Sequence, residues 1–251
     1  MENKQISSSV IGYKLKFRQK LYLAIKSFID FLVALTAITI LLPVFLITAL
    51  AIKIDSRGPV FFVQKRIGKN GKLFNCVKFR SMAKEAKPNV ATASFNEAEH
   101  YITKVGKFIR KFSIDELPQL FNVLTFKMCI IGFRPIIPHE EELHEARVKY
   151  SVYDIKPGIT GWAQINGRDL IGDQPVYKAQ LDNFYKNHLS FFFDVKIFFL
   201  TIYKVLHGSD VKDGLIDVVP AETNVVIPES ASGEVGSAVK SLSKDETEQS
   251  V

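Results

Sequence analysis

Between Phe31 and Ile52 the chain runs for 22 residues without a charged side chain. A straight helix of that length reaches roughly 33 Å at about 1.5 Å per residue, enough to cross the hydrocarbon of a bilayer. A buried core helix that long would be unusual in a chain of 251 residues, so the stretch predicts a membrane segment. Leu42-Pro43 falls at its midpoint, where proline removes a backbone hydrogen bond and bends a helix. Both flanks are basic, with six Lys/Arg against two acids through Asp30 and eight against one from Lys53 to Arg80. A spanning helix is oriented by a charge difference between its ends, and here neither end is suited to export. A helix bent at Pro43 that dips in and returns to the cytoplasmic side satisfies both flanks, with Thr36 or Thr39 covering the freed backbone.

Ahead of this segment, Met1 to Lys26 is polar and basic. It lacks the small-residue cleavage site of a signal peptide and reads as an amphipathic lead-in on a membrane surface, or as a solvated one. The charge is unevenly placed. From Gly208 onward three Lys stand against nine Asp/Glu, a net of −6, so the rest carries +13 of the chain's overall +7. A basic body suits anionic lipid, phosphorylated substrates or nucleic acid. The two cysteines, Cys76 and Cys129, are too few for a disulfide framework. His139 and His144 flank an acidic run at a spacing that suits a solvated helix better than a zinc site.

The chemistry-bearing stretch is Arg110-Lys111-Phe112-Ser113-Ile114-Asp115-Glu116-Leu117-Pro118. Adjacent carboxylates repel, and a fold that keeps both ionised gives them a cation to share. A metal and a phosphorylated substrate fit, with one carboxylate attacking phosphorus and the other holding the ion. The bland alternative is a helix start, either Ser113-x-x-Glu116 as a capping box or Asp115 as an N-cap with Pro118 in the first turn.

Pro59 to Arg66 and Lys72 to Phe79, joined through Asn70-Gly71, predict a β-hairpin. Lys78 and Arg80 lie on one side of its second strand, as phosphate contacts or as a solvated face. Ala83 to Glu99 is polar and helix-friendly. Thr103 to Lys111 predicts an amphipathic basic helix, and Leu117 to Leu124 an apolar one. Ile130 to Pro135 predicts a strand ending in a turn that presents Arg134, for fixed anion recognition or as an ordinary surface turn. Glu140 to Tyr150 reads as a charged surface helix. Lys156 to Arg168 holds three glycines and reads as a loop rather than core, with Gln164, Asn166 and Arg168 as candidate ligand contacts. Asp182 and Tyr185 follow on a helix. Phe191 to Leu206 is too short and charged to cross a bilayer and predicts an interfacial helix. The tail from Gly208 reads as mostly disordered, with Ile216 to Val219 as a candidate docked stretch.

Taken together these stretches resemble the bacterial sugar transferase family, the small monotopic phosphoglycosyl transferases. The resemblance runs from about Tyr22 to Leu206. It rests on the apolar segment with its mid-helix proline, Gly58-Pro59-Val60-Phe61-Phe62 with Gln64 and Arg66, and Lys78-Phe79-Arg80-Ser81-Met82. It continues through Asp115-Glu116-Leu117-Pro118-Gln119-Leu120, Gly132-Phe133-Arg134-Pro135 and Pro157-Gly158-Ile159-Thr160-Gly161-Trp162. Two positions depart from the pattern: Cys129 stands where Ser is common, and Phe133 where Pro usually precedes Arg-Pro.

The resemblance implies transfer of a sugar 1-phosphate from a UDP-sugar to polyprenyl phosphate, with release of UMP. Asp115 would be the nucleophile and Glu116 the Mg²⁺ ligand. Arg110 would bind a phosphate and Arg134 the nucleotide sugar, with Lys78 and Arg80 supporting the same site. Gln164 and Arg168 remain the candidate contacts of the glycine-rich stretch. An N-acetylhexosamine is mildly preferred as the sugar. The fold expected is α+β, a monotopic membrane protein with one re-entrant helix, interfacial helices and a small cytoplasmic catalytic domain with a β-hairpin. Its divisions are a lead-in at 1–26, a re-entrant helix at 27–54, a catalytic body at 55–207 and an acidic tail at 208–251. The expected location is the cytoplasmic face of the bacterial inner membrane, with anionic lipid and downstream glycosyltransferases as further partners and no nucleic acid. The rival classes are a catalytically inactive membrane scaffold of a glycan-assembly complex and a basic nucleic-acid-binding protein.

Overall fold

The computed structural model describes residues 14–83, 101–166 and 174–207. The start of the basic lead-in, the polar run from 84 to 99, the 167–169 loop with Arg168 and the acidic tail lie outside the described residues. The described part is α+β, with helices around two two-stranded sheets.

One helix, α1 (Phe17–Asp55), takes up the whole apolar segment and fourteen residues more on its N-terminal side. Helical structure continues through Pro43. Thr36 and Thr39 donate to the carbonyls of Leu32 and Leu35, both at 3.0 Å. These carbonyls lie N-terminal to that of Thr39, the one Pro43 leaves without its usual donor. The hydroxyls therefore do not cover the proline gap as expected, because a helical Thr reaches back to its own i−4 carbonyl.

The positions of α1 turned inward are Lys26, Asp30, Ala34, Phe45, Thr48 and Ile52, with Ala37, Ile38 and Leu41 half-buried between them. Steps of three and four residues keep these on one face of a helix. The opposite side leaves Phe28, Leu32, Leu35, Leu42, Leu46 and Leu50 exposed. Side chains of α1 enter each of the three apolar clusters of the body.

Strands β1 (Phe61–Ile67) and β2 (Leu73–Phe79) form the expected antiparallel hairpin, in register from Phe61↔Phe79 to Ile67↔Leu73. Asn70 (φ 57°) and Gly71 (φ 70°) carry the left-handed turn. Helix α2 (Lys104–Lys111) starts at Thr103, whose hydroxyl accepts from the Gly106 N–H at 2.9 Å. Helix α3 (Gln119–Leu124) follows Pro118. Strand β3 (Cys129–Ile131) runs parallel to β4 (Gly158–Thr160). Between them lies α4 (Glu141–Lys149), and after them come α5 (Trp162–Ile165), α6 (Pro175–Asn187) and α7 (Phe191–His207).

Two expectations change. The stretch from 156 is core rather than loop: Gly158, Thr160, Gly161, Trp162 and Ile165 are buried. Its glycines serve backbone packing, since a Cβ on Gly161 would lie 1.8 Å from the Gly132 carbonyl oxygen and one on Gly158 2.1 Å from the Gly132 nitrogen. Helix α4 is not purely a surface helix, because Arg147 is buried on its inner face beside Leu143 and Ala146.

A buried polar cluster ties α1 to the body. Lys26 Nζ lies 3.3 Å from Asp30 Oδ2 and 2.9 Å from Asp194 Oδ2 on α7. Asp194 also accepts from the hydroxyls of Tyr22 and Tyr185, each at 2.7 Å. The Ile130 N–H of β3 donates to Asp30 Oδ2 at 3.3 Å.

Candidate active site

Asp115 and Glu116 occupy one 3-10 turn, Ile114–Glu116, set between α2 and α3. Ser113 enters it with φ 54°, and Glu116 N donates to the Ser113 carbonyl at 3.1 Å. At three residues per turn, consecutive side chains point about 120° apart. The pair therefore diverges, with Glu116 buried and Asp115 half-buried. The capping box does not form, since the Ser113 hydroxyl makes no capping hydrogen bond. Glu116 is drawn elsewhere, because charge-assisted bonds to cations outweigh a neutral cap.

Glu116 Oε1 accepts from Lys78 Nζ at 2.8 Å and from Arg134 Nη1 at 3.2 Å. The hairpin supplies Lys78 from β2, and the turn after β3 supplies Arg134. The Glu116 charge raises the pKa of Arg134 against the opposing effect of burial, and the Asp115 charge adds to it. A third cation stands close by. Arg66 on β1 is pushed down, first by burial and then by the Arg134 charge. Arg66, Cys76, Lys78, Gln119, Arg134, Pro135, Gly158 and Ile159 line one narrow cleft. Glu116 pairs with two of these three cations and the Asp115 charge reaches Arg134, so the cluster suits a ligand with several negative charges.

The structure thus brings Asp115, Glu116, Lys78 and Arg134 together. Arg110 stands at the end of α2, just ahead of the acid turn, with Nε donating to Ser81 Oγ at 2.8 Å. Arg80 is placed differently. Its Nη1 donates to the Arg57 carbonyl at 2.7 Å and its Nη2 to the Ser56 carbonyl at 2.8 Å and hydroxyl at 2.9 Å. These contacts fasten the chain leaving α1, whose terminal carbonyls need donors. Gln164 Nε2 donates to the Ile159 carbonyl at 3.1 Å, one residue of the cleft wall. His144 meets the Tyr153 hydroxyl at 2.9 Å, a packing contact.

Arg66 is a charged residue of the cleft that the sequence marked only as part of a motif and not as a ligand contact. The signal was present in the hairpin register, which pairs Gln64 with Cys76 and Phe62 with Lys78. Opposed and alternate residues share a face, so Gln64 and Arg66 must lie on the Lys78 side.

The sequence profile of the family described as "Bacterial sugar transferase" matches residues 21–208. An "Undecaprenyl-phosphate glucose phosphotransferase" of Komagataeibacter xylinus is 44% identical over 180 residues, 67% of this chain and 34% of that protein. A "UDP-N-acetylgalactosamine-undecaprenyl-phosphate N-acetylgalactosaminephosphotransferase" of Aeromonas hydrophila is 39% identical over 191 residues, 75% of this chain and 45% of the relative. An "Uncharacterized sugar transferase" of Bacillus subtilis (strain 168) is 41% identical over 209 residues, 82% of this chain and 94% of its own length. The chain therefore spans less than half of the first two relatives and nearly all of the third. On the extent of these matches, the chain belongs to the bacterial sugar transferase family.

Proposed function

We propose that this chain transfers a sugar 1-phosphate from a UDP-sugar to polyprenyl phosphate at the cytoplasmic face of the bacterial inner membrane, releasing UMP. The observation that carries the reading is the acid turn whose Glu116 pairs with Lys78 and Arg134, two cations that share a cleft with Arg66. A diphosphate donor needs such cations, and a half-buried carboxylate beside them can act as a nucleophile. The names of the relatives, which specify undecaprenyl phosphate and glucose or N-acetylgalactosamine, support the same reaction class.

In the first half-reaction an Asp115 oxygen attacks the phosphorus bearing the sugar. Its bond to the UMP oxygen breaks, and UMP leaves with the electron pair. In the second, an oxygen of polyprenyl phosphate attacks that phosphorus, the bond to Asp115 breaks and the carboxylate is restored. Arg134, Lys78 and Arg110 bind and orient the phosphates, while Lys78 and Arg134 hold the Glu116 carboxylate beside them. Among the described residues no three His, Cys, Asp or Glu side chains gather into a metal site. Mg²⁺ nonetheless fits, because it binds through one or two carboxylates with the remaining positions taken by phosphate and water. Glu116 would hold it, and the ion would supply neutralisation of phosphate charge when bound.

The second half-reaction needs an acceptor that stays in the bilayer. We read α1 as a helix that dips into the membrane and returns to the cytoplasmic side. The inward stripe from Lys26 to Ile52 supports this, since the body covers one face of α1 on both sides of Pro43. A straight span would draw that body into the hydrocarbon. Phe192 (83% exposed), Phe199 and Leu206 on α7 and Phe108 on α2 offer further apolar surface for the interface.

The deciding assay is UMP release from a panel of UDP-sugars on adding polyprenyl phosphate and Mg²⁺, with mass spectrometry for a phosphosugar adduct on Asp115 when donor is given alone. Release with the adduct is expected. Absence of release across glucose and N-acetylhexosamine donors would move the reading to a membrane scaffold. Topology is tested with single cysteines at Ser8 and Ser237 in a chain lacking Cys76 and Cys129. Both should resist an impermeant thiol reagent in whole cells and react after lysis, and labelling at position 8 in intact cells would rule out the re-entrant arrangement.

A further inference from the structure

Four successive carbonyls run through the turn that presents Arg134, and each is held by a different part of the chain. The Phe133 oxygen accepts from Gly158 N at 2.9 Å, and the Ile136 oxygen from Ile67 N at 2.9 Å. The two between them are held by guanidinium groups. The Arg134 oxygen accepts from Arg147 Nη1 at 2.8 Å, and the Pro135 oxygen from Arg66 Nη1 at 2.9 Å.

Arg147 is only 2% exposed and turns two further donors on one carboxylate. Its Nε and Nη2 both reach Asp182 Oδ2 on α6, at 2.9 and 2.6 Å, and Asp182 is 1% exposed. The guanidinium also lies 5.0 Å from the centre of the Phe133 ring, which is fully buried and edge-on to Tyr153. A buried ion pair replaced by apolar residues often costs a fold nothing, so stability alone is a weak account of its presence. The planar fork satisfies Asp182 with two donors while a third reaches the backbone of Arg134, a fixed spread of donors that a compact ammonium does not offer.

We propose that Arg147, oriented by Asp182, is a positioning residue for Arg134. It fixes the peptide from which Arg134 reaches toward the donor's phosphates, and it braces Phe133 at a place without proline's stiffness. The inference rests on the reading of Arg134 as a donor-binding residue. By holding the peptide it aims the Arg134 side chain, whose Nη1 now lies 3.2 Å from Glu116 Oε1.

The test measures steady-state constants for both substrates in purified full-length protein. Arg147→Lys keeps the charge opposite Asp182 and loses the fork. Arg147→Met with Asp182→Leu removes both charges at similar volume and leaves neither ion unpaired. Each variant should raise KM for the UDP-sugar on the order of tenfold or more, because small misplacements of binding groups are costly. KM for polyprenyl phosphate should stay within about twofold of wild type. In an Arg134→Ala background the same changes should add nothing, since there is then no side chain to aim. Equal losses toward both substrates, persisting in that background, would make the pair a purely structural element and overturn the proposal. An Arg134→Ala protein with unchanged donor KM would instead overturn the reading of Arg134, and this inference with it. Should the double variant not fold, Arg147→Lys decides alone.

Discussion

Replacing Lys26 with Met isolates what the buried polar cluster does for the union of α1 with the body. Lys26 is the cation between Asp30 and Asp194, at 3.3 and 2.9 Å. Asp194 would keep two tyrosine hydroxyls at 2.7 Å, whereas Asp30 would keep one N–H at 3.3 Å. The cost therefore concentrates on Asp30. Breaking a buried pair from one side typically costs about 3–5 kcal/mol. Asp30 can limit that by taking a proton, which from an ordinary carboxyl pKa of about 3.9 costs about 4 kcal/mol at pH 7 and about 1.5 kcal/mol at pH 5. The expected deficit is thus about 3–4 kcal/mol at pH 7, shrinking in mild acid, where the proton is easier to take up. For a body of this size that is a fall of roughly 6–16 °C in melting temperature. Trp162, the chain's single tryptophan, has its ring 5.0 Å from that of Phe193, the neighbour of Asp194. Its fluorescence in detergent micelles reports unfolding of this region. Lys26→Met with Asp30→Asn should recover at least half of the loss and abolish its pH dependence. A Lys26→Met protein within about 1 kcal/mol of wild type, or a deficit indifferent to pH, would refute the reasoning.

Asp115→Asn should end turnover and adduct formation while moving the melting temperature by no more than about 2 °C, because a half-buried carboxamide costs little; residual turnover above a tenth of wild type would exclude Asp115 as nucleophile. Glu116→Gln should weaken Mg²⁺ binding in the presence of UDP, read by calorimetric titration, and unchanged binding would remove Glu116 as the metal ligand. Gly106→Ala places a Cβ 1.9 Å from the Ser81 carbonyl oxygen, against which α2 docks. It should destabilise by about 1–3 kcal/mol and displace Arg110 from Ser81, so an unaltered melting curve would refute that close approach. Burial pushes the Cys129 thiol up to about 12. Iodoacetamide at pH 8 should modify it only as the protein unfolds, and rapid alkylation of the native state would contradict the burial.

The elements legible in the sequence are those announced by local rules. Asn70-Gly71 between two apolar runs marked the hairpin, Thr103 marked the start of α2, and the uncharged run marked α1. The acid pair and Arg134 each had a local reading as a helix start or a surface turn, and only the order of motifs along the chain singled them out as candidate chemistry. Partners distant along the chain were hidden. Arg147 in a charged run looks solvated until Asp182, 35 residues on, is brought beside it. Arg80 reads as a twin of Lys78 because both face one side of a strand, yet α1 ends within its reach and claims its donors. Gly158 and Gly161 suggested a ligand loop because glycine permits close approach, and a sequence does not say that the approaching group is the backbone at Gly132.

The inward stripe of α1 bears on any attempt to make a water-soluble form of this protein. Deleting residues 17–55 would not trim an anchor from a finished body. It would strip Ala34, Phe45 and Ile52 from two of the apolar clusters and expose Leu120, Val123, Phe79 and Ile109 to solvent. The helix behaves as a beam on which the rest is assembled, and since it is synthesised before the elements that pack on it, it can template them. A solubilised chain should keep Lys26, Asp30, Ala34, Phe45, Thr48 and Ile52 and exchange the outward Phe28, Leu32, Leu35, Leu42, Leu46 and Leu50 for Glu, Lys and Gln.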